Sequence, residues 1–170
     1  NLAGNTDGNC KTCAAGRKYK GKNSECSDCD AGQYNLAGNE NGTCKTCTTG
    51  KKYKDKESEC LDCVPGRYHP AGNTDGNCTE CPQGKWSSTT GSKACTPCTA
   101  GKWSRHLVAT SESNCTACDA GKWSNRSAST SESHCTPCAA GKWSDVEARP
   151  DGCDACGVGT FSAAISANTS

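Results

Sequence analysis

The run Cys115-Thr-Ala-Cys-Asp-Ala-Gly-Lys-Trp-Ser124 holds the pattern that decides the fold: two cysteines three apart, a glycine three residues on, and one aromatic soon after. The same Cys-x-x-Cys-x-x-Gly unit begins at Cys10, Cys26, Cys44, Cys60, Cys78, Cys95, Cys115, Cys135 and Cys153. Its glycines stand at 16, 32, 50, 66, 84, 101, 121, 141 and 159, and an aromatic follows each by two or three positions. These nine copies use all 18 cysteines and every Phe, Trp and Tyr of the 170 residues. Self-similarity at so short a period makes each copy a small supersecondary unit stacked on its neighbours, so the repeat governs the fold.

Composition says how such units are held. The chain has one Phe, no Met and a mean hydropathy of -0.78. Ordering the backbone costs roughly 1 to 2 kcal/mol per residue, and burial at about 25 cal/mol per Å² of so little apolar surface does not offset it. Cross-links have to make up the difference. An even number of regularly spaced cysteines, denser than the roughly 8 to 10% that marks a cross-linked scaffold, fits disulfides in an oxidising, extracellular setting.

Zinc is the competing reading. Successive pairs are separated by 12 to 16 residues, a spacing that also suits tetrahedral four-cysteine sites in an intracellular zinc-knuckle interaction scaffold. Nine pairs leave one over, and His69, His106 and His134 occupy no repeated position and read as ordinary surface residues. The Asn-x-Ser/Thr sequons at Asn41, Asn77, Asn114, Asn125 and Asn168 are glycosylation candidates and fit a secreted chain better. Those at Asn77 and Asn114 have cysteine as their middle residue. A thioredoxin-like redox role needs a βαβ unit, for which the spacing between pairs is too short. We expect no catalytic, cofactor or metal site, and no cofactor. Asp28, Asp62 and Asp119 read as solvated loop carboxylates, and the Asn-Thr-Asp-Gly-Asn loops as turns rather than calcium sites, lacking the acids of an EF-hand.

Nineteen Lys and Arg against 18 Asp and Glu give a net charge of +1, with no basic run of the kind nucleic acid requires. No 18-residue apolar segment is present to span a membrane. The opening Asn1-Leu-Ala-Gly-Asn5 repeats residues 35–39, so we read the chain as a segment of a longer array whose export signal lies elsewhere.

Two styles of repeat follow one another. Residues 1–86 carry a 34-residue superperiod in which cysteine pairs alternate 16 and 18 apart, with the longer loops at 3–9, 37–43 and 71–77 carrying Asp-Gly or Asn-Gly turn signals. Residues 87–170 use units of about 20 residues with serine- and threonine-rich loops such as Ser127 to Ser133. No 3.6-residue apolar pattern persists, whereas Gly-Lys-Trp-Ser and Gly-Arg-Tyr read as short extended pieces leaving a turn. The fold expected is a small disulfide-rich repeat protein: an elongated rod of short β-strand pairs and loops with almost no helix and no conventional hydrophobic core. The fixed glycine supplies a backbone angle or a close approach that a Cβ would block. The single aromatic is expected to lie over the adjacent disulfide or the next repeat.

Cys98-Thr-Ala-Gly-Lys-Trp-Ser104 through Cys115, and Cys118-Asp-Ala-Gly-Lys-Trp-Ser124 through Cys135, resemble the ephrin-receptor-like cysteine-rich repeats and the first loop of tumour necrosis factor receptor modules. The resemblance covers nearly the whole chain, and similar arrays occur in extracellular surface proteins of protists. The chain lacks the extra cysteines of a complete six-cysteine receptor module. The resemblance implies that the second cysteine of each pair joins the first of the next: Cys13 with Cys26, Cys29 with Cys44, Cys47 with Cys60, Cys63 with Cys78, Cys81 with Cys95, Cys98 with Cys115, Cys118 with Cys135 and Cys138 with Cys153. Cys10 and Cys156 would then bond to flanking segments. A rival scheme, first to first and second to second, draws support from the superperiod, and spacing does not choose between them.

Three functions compete. The first is an extracellular structural repeat forming a disulfide-locked rod, as stalk, surface coat or filament subunit. Its partners would be further copies of itself or other extracellular matrix or surface proteins, with glycans attached, no nucleic acid and no membrane span in this segment. The second is a receptor ectodomain binding a protein ligand, for which Arg105-His-Leu-Val-Ala109, the one locally apolar loop, is the best patch. The third is the zinc scaffold.

Overall fold

The computed structural model describes residues 13–19, 26–36, 43–56, 59–71 and 76–162. Cys10, Asn41 and Asn168 lie outside them.

The turn comes first. In every copy but that of Gly66 the residue after the glycine donates its N–H to the carbonyl three positions earlier, as from Lys85 to Pro82 (3.1 Å), Lys102 to Thr99 (3.1 Å) and Lys122 to Asp119 (3.0 Å). The glycine is thus third in a tight turn, where a type II turn requires positive φ, and Gly84, Gly101 and Gly121 sit at 75°, 81° and 78°. The chain leaves the turn extended, and the strand it makes pairs with the two residues held between the cysteines of the following copy. Lys102–Trp103 runs antiparallel to Thr116–Ala117, and Lys122–Trp123 to Thr136–Pro137. Among the described residues this gives 16 strands of two or three residues in eight two-stranded sheets. Among the described residues the helix is two single 3-10 turns, Glu112–Asn114 and Glu132–His134, each capped by a serine hydroxyl from Ser111 or Ser131.

Eight disulfides join the second cysteine of one pair to the first of the next, from Cys13–Cys26 to Cys138–Cys153, each with Cα atoms 5.6 to 5.8 Å apart. Two compact units result, interleaved in sequence where the repeat style changes. One comprises residues 1–64, 68–79 and 89–94, the other 65–67, 80–88 and 95–170, and each contains four of the disulfides.

Among the described residues of the first unit the buried side chains are Cys13, Cys29, Cys63, Asn35 and His69. His69 therefore departs from the surface role expected of it: it is only 2% exposed, and neither ring nitrogen has a hydrogen-bond partner among the described residues. The reason is positional. His69 directly follows an aromatic, as do Asn35, Ser87, Ser104, Ser124 and Ser144, and this place is buried in all six, whereas Lys54 after Tyr53 is exposed and Ser162 after Phe161 is half-buried.

In the second unit the cysteines themselves form the apolar interior, with Trp103 (8% exposed) packed on Cys118 and Cys135. One aromatic thus lies on the disulfide of the next copy, as expected. Trp86 and Trp123 are half-buried, while Trp143 (45% exposed) and Phe161 are exposed. His134 is half-buried and ends a 3-10 turn in the place that Asn114 takes one copy earlier, so it too belongs to the repeat. His106 is exposed.

Candidate functional site

The feature built most consistently is a seam of backbone groups running from copy to copy. Take Gly84: its N–H donates to the Ser104 carbonyl (2.9 Å), and its own carbonyl accepts from Cys98 N–H (2.8 Å). Ser104 N–H then donates to Ser129 (2.9 Å), and Ala128 N–H to the Cys98 carbonyl (2.9 Å). One copy earlier the same four bonds link Gly66, Ser87, Cys81, Ala109 and Val108, and one copy later Gly101, Ser124, Cys118, Arg149 and Ala148, at 2.7 to 3.0 Å. Trp86, Trp103 and Trp123 also form parallel bridges to Ala109, Ser129 and Arg149. In the first unit Gly50, His69, Cys63, Ser92 and Gly91 repeat the pattern. Burying peptide groups in so apolar-poor a chain demands such pairing, since an unmet buried donor costs about 1 to 3 kcal/mol.

The seam explains the glycine more fully than the turn does. A Cβ on Gly66, Gly84 or Gly101 would run into the backbone of Val108, Ala128 or Ala148, two copies ahead, and one on Gly50 would meet Gly91. The approached residue is itself left-handed: φ is 70° at Gly91 and 53° to 55° at Val108, Ala128 and Ala148. Nothing in the sequence signalled these non-glycine left-handed positions, because alanine and valine seldom adopt them. The period that sets them, glycine to a loop two copies on, became visible only once the copies were stacked.

Charged side chains decorate this frame. Arg17 with Asp28 (3.1 Å), Lys51 with Asp62 (3.0 Å) and Arg67 with Glu80 (2.6 Å) pair a residue just after the glycine with an acid of the following copy, and Lys102 pairs with Glu112 (2.9 Å) in the loop of its own copy. Hydrogen bonds from Arg17 and then Lys56 hold the Asp28 carboxyl below the usual carboxylate range. Glu132 (2.7 Å), and next Asp119 (3.3 Å), raise the Lys122 ammonium above its ordinary value. Arg149 lowers Asp154 in the same way through two 2.6 Å hydrogen bonds, and Asp154 raises Arg149 in turn. Asp28, Asp62 and Asp119 are thus exposed members of ion pairs. Among the described residues no three His, Cys, Asp or Glu gather as a metal site would need. A sulfur engaged in a disulfide is not a thiolate, so the bonded cysteines are not zinc ligands in this structure.

The other residues singled out by sequence are placed as follows. Cys156 carries no disulfide and is half-buried. Of the loop proposed as a ligand patch, Leu107 is exposed (59%), but Val108 is half-buried in the seam and Ala109 is buried. Two of its three apolar residues therefore serve the frame, which corrects the expectation of an apolar patch. Arg105 sets its guanidinium 5.1 Å from the centre of the Trp103 ring. Asn77 is exposed beside the bonded Cys78, Asn114 accepts the N–H groups of Thr110 and Ser111 through Oδ1 (both 3.2 Å), and Asn125 is exposed.

Residues 66–115 match the family described as Tyrosine-protein kinase ephrin type A/B receptor-like. No curated protein sequence matches the chain. The family match covers the segment in which the seam passes from one repeat style to the other. Together with the disulfide array it points to an extracellular or secreted protein. No helix among the described residues is long and apolar enough to cross a membrane.

Proposed function

We propose that the chain is an extracellular structural repeat, a disulfide-locked rod that serves as a stalk, surface coat or filament subunit. The observation that carries this reading is the seam: the same backbone bonds recur from copy to copy, so that adding a copy extends the array without changing its rules. The exposed side chains are mostly small, polar or ion-paired, which suits a surface that keeps its spacing in water. Further copies of the chain, or other matrix or surface proteins, are the natural partners of such an element. Small-angle scattering tests it. A rod gives a radius of gyration well above the roughly 15 Å of a compact chain of this length, and a value near 15 Å overturns the reading.

A receptor ectodomain is the second reading, favoured by the family description over residues 66–115. Its contact would centre on the exposed tip Arg105-His-Leu107, which differs from the Asn125-Arg-Ser127 and Asp145-Val-Glu147 tips of the next two copies. If Leu107→Asp abolishes capture of a cell-surface protein while leaving melting unchanged, the receptor reading replaces the rod.

A further inference from the structure

We infer that Asn125 is an N-glycan acceptor and that Trp123, two residues before it, is the platform on which the first sugar rests. The inference rests on the extracellular reading and names a site within it.

Three sequons fall among the described residues, and their surroundings differ. Asn77 and Asn114 are each followed by a cysteine locked in a disulfide and by a threonine locked in a strand, Thr79–Glu80 or Thr116–Ala117. The Asn114 carboxamide is also engaged, because its Oδ1 closes the cap of the 3-10 turn. A transferase has to draw the carboxamide and the hydroxyl two residues on into one bent loop, and neither segment is free to bend. Asn125-Arg-Ser127 already lies in a loop, all three residues are exposed, and the Asn125 side chain makes no hydrogen bond among the described residues.

The platform follows from the repeat. His106 N–H bonds the Ser104 hydroxyl (3.3 Å) and Arg126 N–H bonds the Ser124 hydroxyl (3.4 Å), so residues 104–106 and 124–126 turn alike. In the first, Arg105 projects over the face of Trp103. Asn125 occupies the place of Arg105, and Trp123, half-buried, the place of Trp103. A pyranose attached at Asn125 therefore meets an indole whose face is partly open to water, and covering it removes apolar surface from solvent. In the transfer, the Asn125 amide nitrogen bonds to C1 of a lipid-pyrophosphate-linked oligosaccharide. The C1–O bond breaks, the lipid pyrophosphate leaves with that electron pair, and the amide proton passes to a base on the transferase.

Peptide mapping of the protein isolated from its own cells tests this, with enzymatic glycan release in heavy-oxygen water to turn each occupied asparagine into labelled aspartate. Label at Asn125 in most molecules, and at neither Asn77 nor Asn114, is expected. An unlabelled Asn125 in protein whose cysteines are bonded overturns the site and leaves the extracellular reading standing, whereas free thiols throughout overturn both. Protein trimmed to the single sugar should melt higher than Ser127→Ala, which loses only the sequon. Equal melting removes the platform.

Discussion

At the scale of the residue, the fixed glycine does two separable jobs, and substitution separates them. Gly101 and Gly121 share the turn and the positive φ, but only Gly101 is closed in by a left-handed residue two copies ahead, Ala148. No described atom stands within 4 Å of where a Cβ on Gly121 would lie. Gly121→Ala should therefore cost about 1 to 2 kcal/mol, the price of left-handed backbone alone, and Gly101→Ala at least about twice that by overpacking as well. Chemical denaturation of the two variants checks this, and equal costs would remove the seam as the reason for the glycine. The Arg149–Asp154 pair gives a pH effect of known sign. Because Arg149 lowers the folded-state pKa of Asp154, the pair contributes stability above the unfolded carboxyl value near 4 and loses it as pH falls through the folded value. Asp154→Asn should flatten the fall of the melting midpoint below about pH 4. The effect is modest, since the pair is exposed and screened by salt.

At the scale of the element, one strand pair with its disulfide and aromatic is the smallest unit that repeats, and what its sequence disclosed depends on locality. The turn, the strand after it and the want of helix follow from neighbours in the chain, so Gly-Lys-Trp-Ser was enough to read them. The partner of each cysteine came through resemblance, because two pairing schemes fit the same spacing. The buried place after the aromatic escaped notice, since serine, asparagine and histidine share no chemistry that marks them as interior. Val108, Ala128 and Ala148 escaped for the opposite reason: their residue types argue against the conformation they hold. The aromatic itself varies in its role with what covers it. Trp103 lies on Cys118–Cys135 and Trp143 does not enjoy the same cover, so Trp103→Ala should cost about 3 kcal/mol or more and Trp143→Ala about 1 or less. Thermal melts monitored by circular dichroism separate the two.

At the scale of the whole molecule, covalent closure stands where an apolar core would be. Each disulfide closes a loop 13 to 17 residues long, worth roughly 3 kcal/mol in the chain-entropy treatment. Alkylation of the denatured, unreduced protein should tag Cys10 and Cys156 at most, as intact mass will tell; tagging of more would break the pairing. The pairing also fixes how the chain responds to tension. Because every bond joins one copy to the next and no two bonds overlap, a pulling force bypasses each loop through sulfur and travels along backbone only between the two cysteines of a pair. One step of that path is a Cα–Cα span near 5.7 Å plus three residues at about 3.4 Å each, roughly 16 Å in all. The same copy with its sulfurs separated stretches to roughly 55 to 70 Å. Pulled taut with its disulfides intact, the chain keeps most of its contour length locked in closed loops; pulled taut after reduction, it should reach about four times as far.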